Sequence, residues 1–197
     1  MFSDVLAALS RAERVDRIAV VTGDLAAEEL SLGFAMVLRD EEEAGQSKAA
    51  EVGIRHAQAA GYDRVLLVPG DTPLIDPAEV DLLLDRTEAA GVAVAVVPDR
   101  HGTGTNALVL NPPDALAPAF GPDSLRRHVA AAKSAARSHR VEPSGSLAHD
   151  VDTPDDLAEL IAAVGDRRAG AQRTRGVLAQ LERTGSLGAL AATRSPA

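Results

Sequence analysis

Residues 64–97 read RVLLVPGDTPLIDPAEVDLLLDRTEAAGVAVAVV, and the order of patterns in this stretch decides the fold class. An apolar run from Arg64 to Val68 has the length of a buried strand and stops at Pro69-Gly70. A helix-period segment follows from Pro77 to Ala90, and a second apolar run, Val92 to Val97, begins after it. Pro77 lies just inside the helix start, where its missing N–H costs nothing, and Gly91 suits the left-handed position just past the end. Strand, helix and strand in this order make the βα unit from which parallel sheets are built. Working outward, Arg17 to Thr22, Asn106 to Leu110 and a short segment ending near Asp152 read as further strands. Phe2 to Ala12, Ser47 to Ala60 and Ser124 to Arg137 read as helices, with Gly61 closing the second of them. The expectation over residues 1–164 is one α/β domain, a mostly parallel sheet flanked by helices. From Gly165 onward the chain is rich in Arg, Gly, Ser and Thr, and only Arg173 to Arg183 is amphipathic. Residues 165–197 are therefore expected to be a C-terminal helix and a flexible tail.

Composition narrows the function. A chain of 197 residues, 46% hydrophobic and 25% charged, is long enough for one core and too short for two comfortable ones. Its apolar runs are strand-length, well below the ~20 residues of a membrane-spanning helix. Asp4 interrupts the first apolar stretch, where a secretory signal would run on. A cytoplasmic protein with no membrane partner is expected. The absence of cysteine excludes thiolate catalysis and cysteine-ligated zinc, so any metal must be held by oxygen or imidazole. A net charge of −9 with 2% aromatic residues argues against nucleic acid, whose phosphates need clustered cations and whose bases need stacking rings. A free nucleotide stays open, because a small local site can bind it.

Three segments could carry chemistry. In the first, the strand ending at Val68 delivers Asp71 beyond its carboxyl end, where open α/β sheets bind ligands. Asp71 either serves a ligand there or bonds the N–H groups of its own turn. In the second, HDVDTPDDL (149–157), Asp150 and Asp152 are two apart in extended chain, so both side chains share a face and can converge on one hard cation such as Mg²⁺. A solvated acidic loop is the plainer reading. Thr153, Pro154 and Asp156 fit the N-cap, N1 and N3 positions of a capping box. The third is a pair of anion-friendly segments, DRHGTGTN (99–106) and FGPDSLRRH (120–128). Glycines can turn N–H groups inward in the former, with Thr103 and Thr105 adding hydroxyls, and the latter opens a helix whose positive end favours anions. The plainer alternative makes Gly102 and Gly104 the shapers of a hairpin-like turn, and Arg126, Arg127 and His128 a solvated helix face. His56, His101 and His139 read as surface histidines.

Taken together, GDTPLI, DRHGTGTNALVL, FGPDSLRRH and HDVDTPDDL, in this order and spacing, resemble the 2-phospho-L-lactate / phosphoenolpyruvate guanylyltransferase family, from about Asp4 to Arg175. That family makes the phosphorylated side-arm precursor of coenzyme F-420. The resemblance implies a Rossmann-like, GT-A-like nucleotidyltransferase sheet and a reaction between GTP and a small phosphorylated carboxylic acid. It matches Asp71, Asp150 and Asp152 to the Mg²⁺-binding acids, which would be the catalytic set. Thr105, Gly121 and Ser124 match positions that hold phosphoenolpyruvate, and the GTGT and FGPDS segments favour that acid over phospholactate.

Two departures accompany the resemblance. Family members begin with a strand and a basic loop that should grip the triphosphate, whereas Met1 here falls in the helix after them. At Gly45-Gln46-Ser47-Lys48 the family reads Gly-Leu-Asn, in the region expected to meet the nucleotide. The rival expectations are therefore a truncated remnant that binds only the phospho-acid, and a nucleotidyltransferase for another phosphorylated acceptor.

Overall fold

The computed structural model describes residues 1–166 and 170–184. In chain order the elements are α1 (Phe2–Leu9), β1 (Ala19–Thr22), α2 (Leu25–Ser31), β2 (Met36–Arg39), α3 (Gln46–Ala59), β3 (Val65–Leu67), α4 (Pro77–Ala89), β4 (Val94–Pro98), β5 (Thr105–Leu110), α5 (Ser124–Ser134), β6 (His139–Val141), α6 (Pro154–Asp166) and α7 (Gln172–Arg183). The α/β class is as expected. α4 starts where its signals place it: Asp76 accepts a hydrogen bond from Ala78 N–H at 2.9 Å, and Pro77 opens the first turn. Gly61 and Gly91 take the left-handed conformation just past α3 and α4.

Strands β3, β5, β4 and β6 form one sheet in that order, and β1 and β2 pair separately and in parallel. β4 and β6 run parallel, while β5 is antiparallel to both β3 and β4. Three strands of the larger sheet thus point one way and β5 the other. The reversal follows from chain length, because residues 99–104 are too few for a crossover and close a hairpin instead. The segment ending near Asp152, expected as a strand, forms none. Its Asp152 and Thr153 N–H groups donate to the Asp156 carboxylate at 3.0 and 2.6 Å and are unavailable to a ladder. The edge beside β4 is taken by β6.

Strand alternation divides the core. Ala95, Val97, Ala107 and Val109 face Val5 and Ala8 of α1 and Val80, Leu83 and Leu84 of α4. Val94, Val96, Leu108 and Leu110 face Ile54 of α3 and Ala132 of α5. Both faces of β4 and β5 are covered, so every residue of β5 is buried. Each fully buried Leu or Val contributes about 1.5–3 kcal/mol by leaving water. α7 packs on α1, where the buried Asp4 carboxylate accepts from Arg173 N–H (3.0 Å), Thr174 N–H (2.8 Å) and the Thr174 hydroxyl (2.7 Å). The tail expected after Arg183 lies outside the described residues.

Candidate active site

The reversal of β5 is what assembles the site. β3 and β4 end at one side of the sheet, and β5 begins there, so Thr105 and Asn106 start beside the turn that carries Asp71. β6 runs parallel to β4 and delivers residues 142–153 to the same side. Asn106 joins the two: its amide donates to Leu147 C=O at 3.0 Å and to Asp150 Oδ1 at 3.1 Å. Arg100 fastens the same segment, with its N–H on Ala148 C=O at 3.0 Å and its guanidinium on Asp156 and Glu159.

Asp71, Asp150 and Asp152 come close enough to feel one another. Burial, and then the charges of Asp152 and Asp150, push the Asp71 carboxyl above the ordinary range, against the pull of its own backbone N–H. Burial and the charges of Asp150 and Asp156 likewise raise Asp152. Asp71 Oδ1 is buried and has no hydrogen-bond partner among the described residues. A buried carboxylate oxygen without a donor is costly unless a cation meets it. The donor set is all oxygen, the chemistry that Mg²⁺ or another hard divalent ion takes. Among the described residues no group of three acidic or histidine side chains is placed to hold a metal ion, so one or two carboxylates are what the protein offers. For Mg²⁺ that is a fit, since this ion keeps several waters and substrate oxygens beside one or two carboxylates.

Asp156 belongs to the helix, as its spacing indicates. It accepts from Asp152 N–H and Thr153 N–H, while the Thr153 hydroxyl accepts from Asp156 N–H at 3.2 Å, a reciprocal capping box at the start of α6. Burial works to raise its pKa, but these hydrogen bonds and Arg100 outweigh it and hold the carboxyl below the usual value.

The anion-friendly segments divide. In residues 99–104 the Asp99 carboxylate is itself the guest, taking Thr103 N–H at 2.9 Å and lying 3.4 Å from the Thr103 hydroxyl. A Cβ at Gly104 would meet Asp99 Oδ2 at 2.6 Å, so any side chain there would have to displace the Asp99 carboxylate. Of this stretch, Thr105 is left to the site. At the start of α5, Ser124 N–H donates to Gly121 C=O and Leu125 N–H to Thr103 C=O, so these two amides are spent inside the protein. Ser124 is buried, and Gly121 adopts a φ of +104° that only glycine takes without strain.

His128 corrects the expectation of a solvated helix face, which holds for the exposed Arg126 and Arg127. Arg127 grips the carbonyls of Ala119, Phe120 and Pro122 and so shapes the loop bearing Gly121. His128 is fully buried, with Nδ1 3.0 Å from Thr105 Oγ1 and Nε2 accepting from Ala119 N–H at 2.8 Å. Ser47, in the segment expected to meet the nucleotide, accepts from Phe120 N–H at 2.9 Å and so braces the same loop. Asn106 and His128 are the site residues that sequence reasoning missed. A polar Asn inside TNALVL was a usable signal, whereas the burial of His128 depends on a packing that its spacing does not reveal.

A model described as "Guanylyl transferase CofC like" matches residues 1–184. The chain belongs to this family. It is 48% identical over 185 residues to a phosphoenolpyruvate guanylyltransferase of Conexibacter woesei, covering 93% of this chain and 83% of that protein. It is 36% identical to a 2-phospho-L-lactate guanylyltransferase of Methanothermobacter thermautotrophicus, covering 82% and 76%. Among solved structures, a cytidylyltransferase from Leptospira borgpetersenii superposes with a TM-score of 0.62 at 14% identity, over 94% of this chain and 84% of the other. A Mycobacterium tuberculosis protein in complex with manganese gives 0.57 at 21%, over 81% and 86%. Family and fold together make the chain a nucleotidyltransferase, and its relatives' names support guanylyl transfer.

Proposed function

We propose that this chain joins GMP from GTP to phosphoenolpyruvate, with pyrophosphate leaving, in the cytoplasm and as a step toward coenzyme F-420. The observation that carries the reading is the buried, unpartnered Asp71 Oδ1 beside Asp150 and Asp152, at the same end of the sheet as Thr105 and the loop to Ser124. Asp71, Asp150 and Asp152 would hold Mg²⁺, and Thr105, Gly121 and Ser124 the acid. A phosphate oxygen of the acid bonds to the α-phosphorus of GTP, and the bond from that phosphorus to its bridging oxygen breaks, pyrophosphate taking the electron pair. With a second pKa near ~6 the phosphate is already ionised at neutral pH, so no side chain need act as base. The chain's task is then to position two anions, the acidic trio on the metal side and the α5 start on the acid side. Bound Mg²⁺ would neutralise charge between the two reactants.

The test is pyrophosphate release with Mg²⁺, GTP and each acid in turn. Phosphoenolpyruvate is expected to be the better acceptor, and to raise Tm in the presence of Mg²⁺ by an amount that Ser124→Ala reduces. Equal release with unrelated phosphorylated acceptors would move the chain to another nucleotidyltransferase specificity. A second reading is binding of the acid with slow turnover. A Tm rise with phosphoenolpyruvate without pyrophosphate release would select it.

A further inference from the structure

We propose that His128 is a positioning residue that fixes the Thr105 hydroxyl as a hydrogen-bond donor to the acid substrate. The inference rests on the reading of Thr105 as an acid contact and adds how that contact acquires its direction.

A threonine hydroxyl can accept or donate toward a neighbour, and only donation attracts an anion. The surroundings of His128 remove the choice. Ala119 N–H can only donate, so Nε2, 2.8 Å away, is an acceptor and carries no proton. The ring is fully buried, and that burial together with the adjacent Arg127 charge lowers its pKa to about 4. At neutral pH the imidazole is therefore uncharged and its single proton sits on Nδ1. Nδ1 lies 3.0 Å from Thr105 Oγ1, so the ring donates and the threonine oxygen accepts. The hydroxyl's own proton has no acceptor among the described residues and is left for a ligand. Accepting a hydrogen bond on one side strengthens donation on the other. With the opposite tautomer, Thr105 would spend its proton on the ring and turn lone pairs toward an anion.

The ring also ties together the two segments assigned to the acid. It holds Thr105 at the start of β5, anchors Ala119 N–H, and packs edge-on against Phe120 with centroids 5.3 Å apart, next to Gly121. Ser124 lies one helical turn before it on α5. A single buried side chain thus sets the distance between β5 and the 119–121 loop.

Two substitutions separate the ring's two bonds. The Asn amide reaches the Nδ1 position and can still donate to Thr105, whereas the Gln amide reaches the Nε2 position and can still accept from Ala119. His128→Gln should raise the KM for phosphoenolpyruvate about tenfold, the scale of one hydrogen bond to a charged group, with the KM for GTP unchanged. His128→Asn should keep most of the acid affinity. In a Thr105→Val background His128→Gln should add nothing further to the acid KM, because the group it acts through is gone. The ring nitrogens of the wild-type protein, read by ¹⁵N NMR, should show Nδ1 protonated and Nε2 bare, with the Nδ1 signal moving when phosphoenolpyruvate and Mg²⁺ are added. That measurement stands even if the variants fold poorly. An Nε2–H tautomer, an unchanged acid KM in His128→Gln, or additive effects with Thr105→Val would each overturn the proposal while leaving the function intact. A wild-type chain that neither binds nor uses phosphoenolpyruvate would overturn the functional reading and this inference with it.

Discussion

Asp71 carries a cost that a metal-free protein has no use for. Its raised pKa means that folding disfavours its charge, so above the ordinary value of 3.8 it subtracts stability, and acidification through that range relieves the loss. Asp71→Asn should therefore leave the metal-free protein as stable as wild type or up to about 1 kcal/mol more stable, while abolishing the Tm rise produced by Mg²⁺. Asp150→Asn and Asp152→Asn should weaken the Mg²⁺ response far more than Asp155→Asn in the first turn of α6; equal effects from all of them would mean an acidic loop and not a site. Asp156 has the opposite sign. Its folded pKa is held below 3.8, so its contribution is fully present above that value and is lost as pH falls through the folded one. Asp156→Ala should cost about 1–3 kcal/mol at pH 7. Urea titrations should show that gap closing below about pH 4. A gap that stays constant with pH would place the loss in packing and not in the carboxylate.

Elements announced by local signals were legible, and those that depend on distant partners were not. α4 carries its own cap, proline and closing glycine, and α3 and α5 carry clean helical periods, so they stand within a few residues of their sequence positions. α2 and β2 escaped because each is short and half-exposed, without a full period to read. β6 has three residues, two of them exposed, and is defined only by its pairing with β4. Asp71 could be singled out because it follows a strand end, and Asp150, Asp152 and Thr105 by their motifs, but the reversed β5 that brings these segments to one side of the sheet could not be read. α7 is a similar case. Its own N-cap, Ala171, has no capping side chain, and its first turn is capped from α1 by Asp4, about 170 positions away. Asp4→Ala should strip three hydrogen bonds from a buried site and cost about 1–3 kcal/mol, with faster amide exchange in α7 first of all. Faster exchange spread evenly over the whole chain would show that α7 does not loosen as a unit.

At the scale of the molecule the unusual feature is the division of the strands into two ladders. α3 packs against both β1 and β3, so the ladders share a helix, yet among the described residues β1 pairs only with β2 and β3 only with β5. Each of these strands presents one edge of backbone N–H and C=O groups to no strand partner, and open edges are templates for pairing with another chain. The segment around the smaller ladder also exposes apolar side chains: Leu25 at the start of α2 is 66% exposed, Leu32 just past its end 71%, and Met36 of β2 51%. Both features act in the same direction, because edge pairing supplies the hydrogen bonds and the exposed apolar side chains the driving force. The chain should therefore self-associate as concentration rises, seen as a growing apparent mass in light scattering. The amides on the free edges of β1 and β3 should exchange faster than those of β4, which has strand neighbours on both sides. Ala19 is exposed within β1, so Ala19→Lys places a charge at that edge without touching the core, and it should suppress the association at unchanged Tm. A wild-type chain that stays monomeric at all concentrations, with β1 amides as protected as those of β4, would mean that these edges are covered and that β1 and β2 belong to a closed sheet.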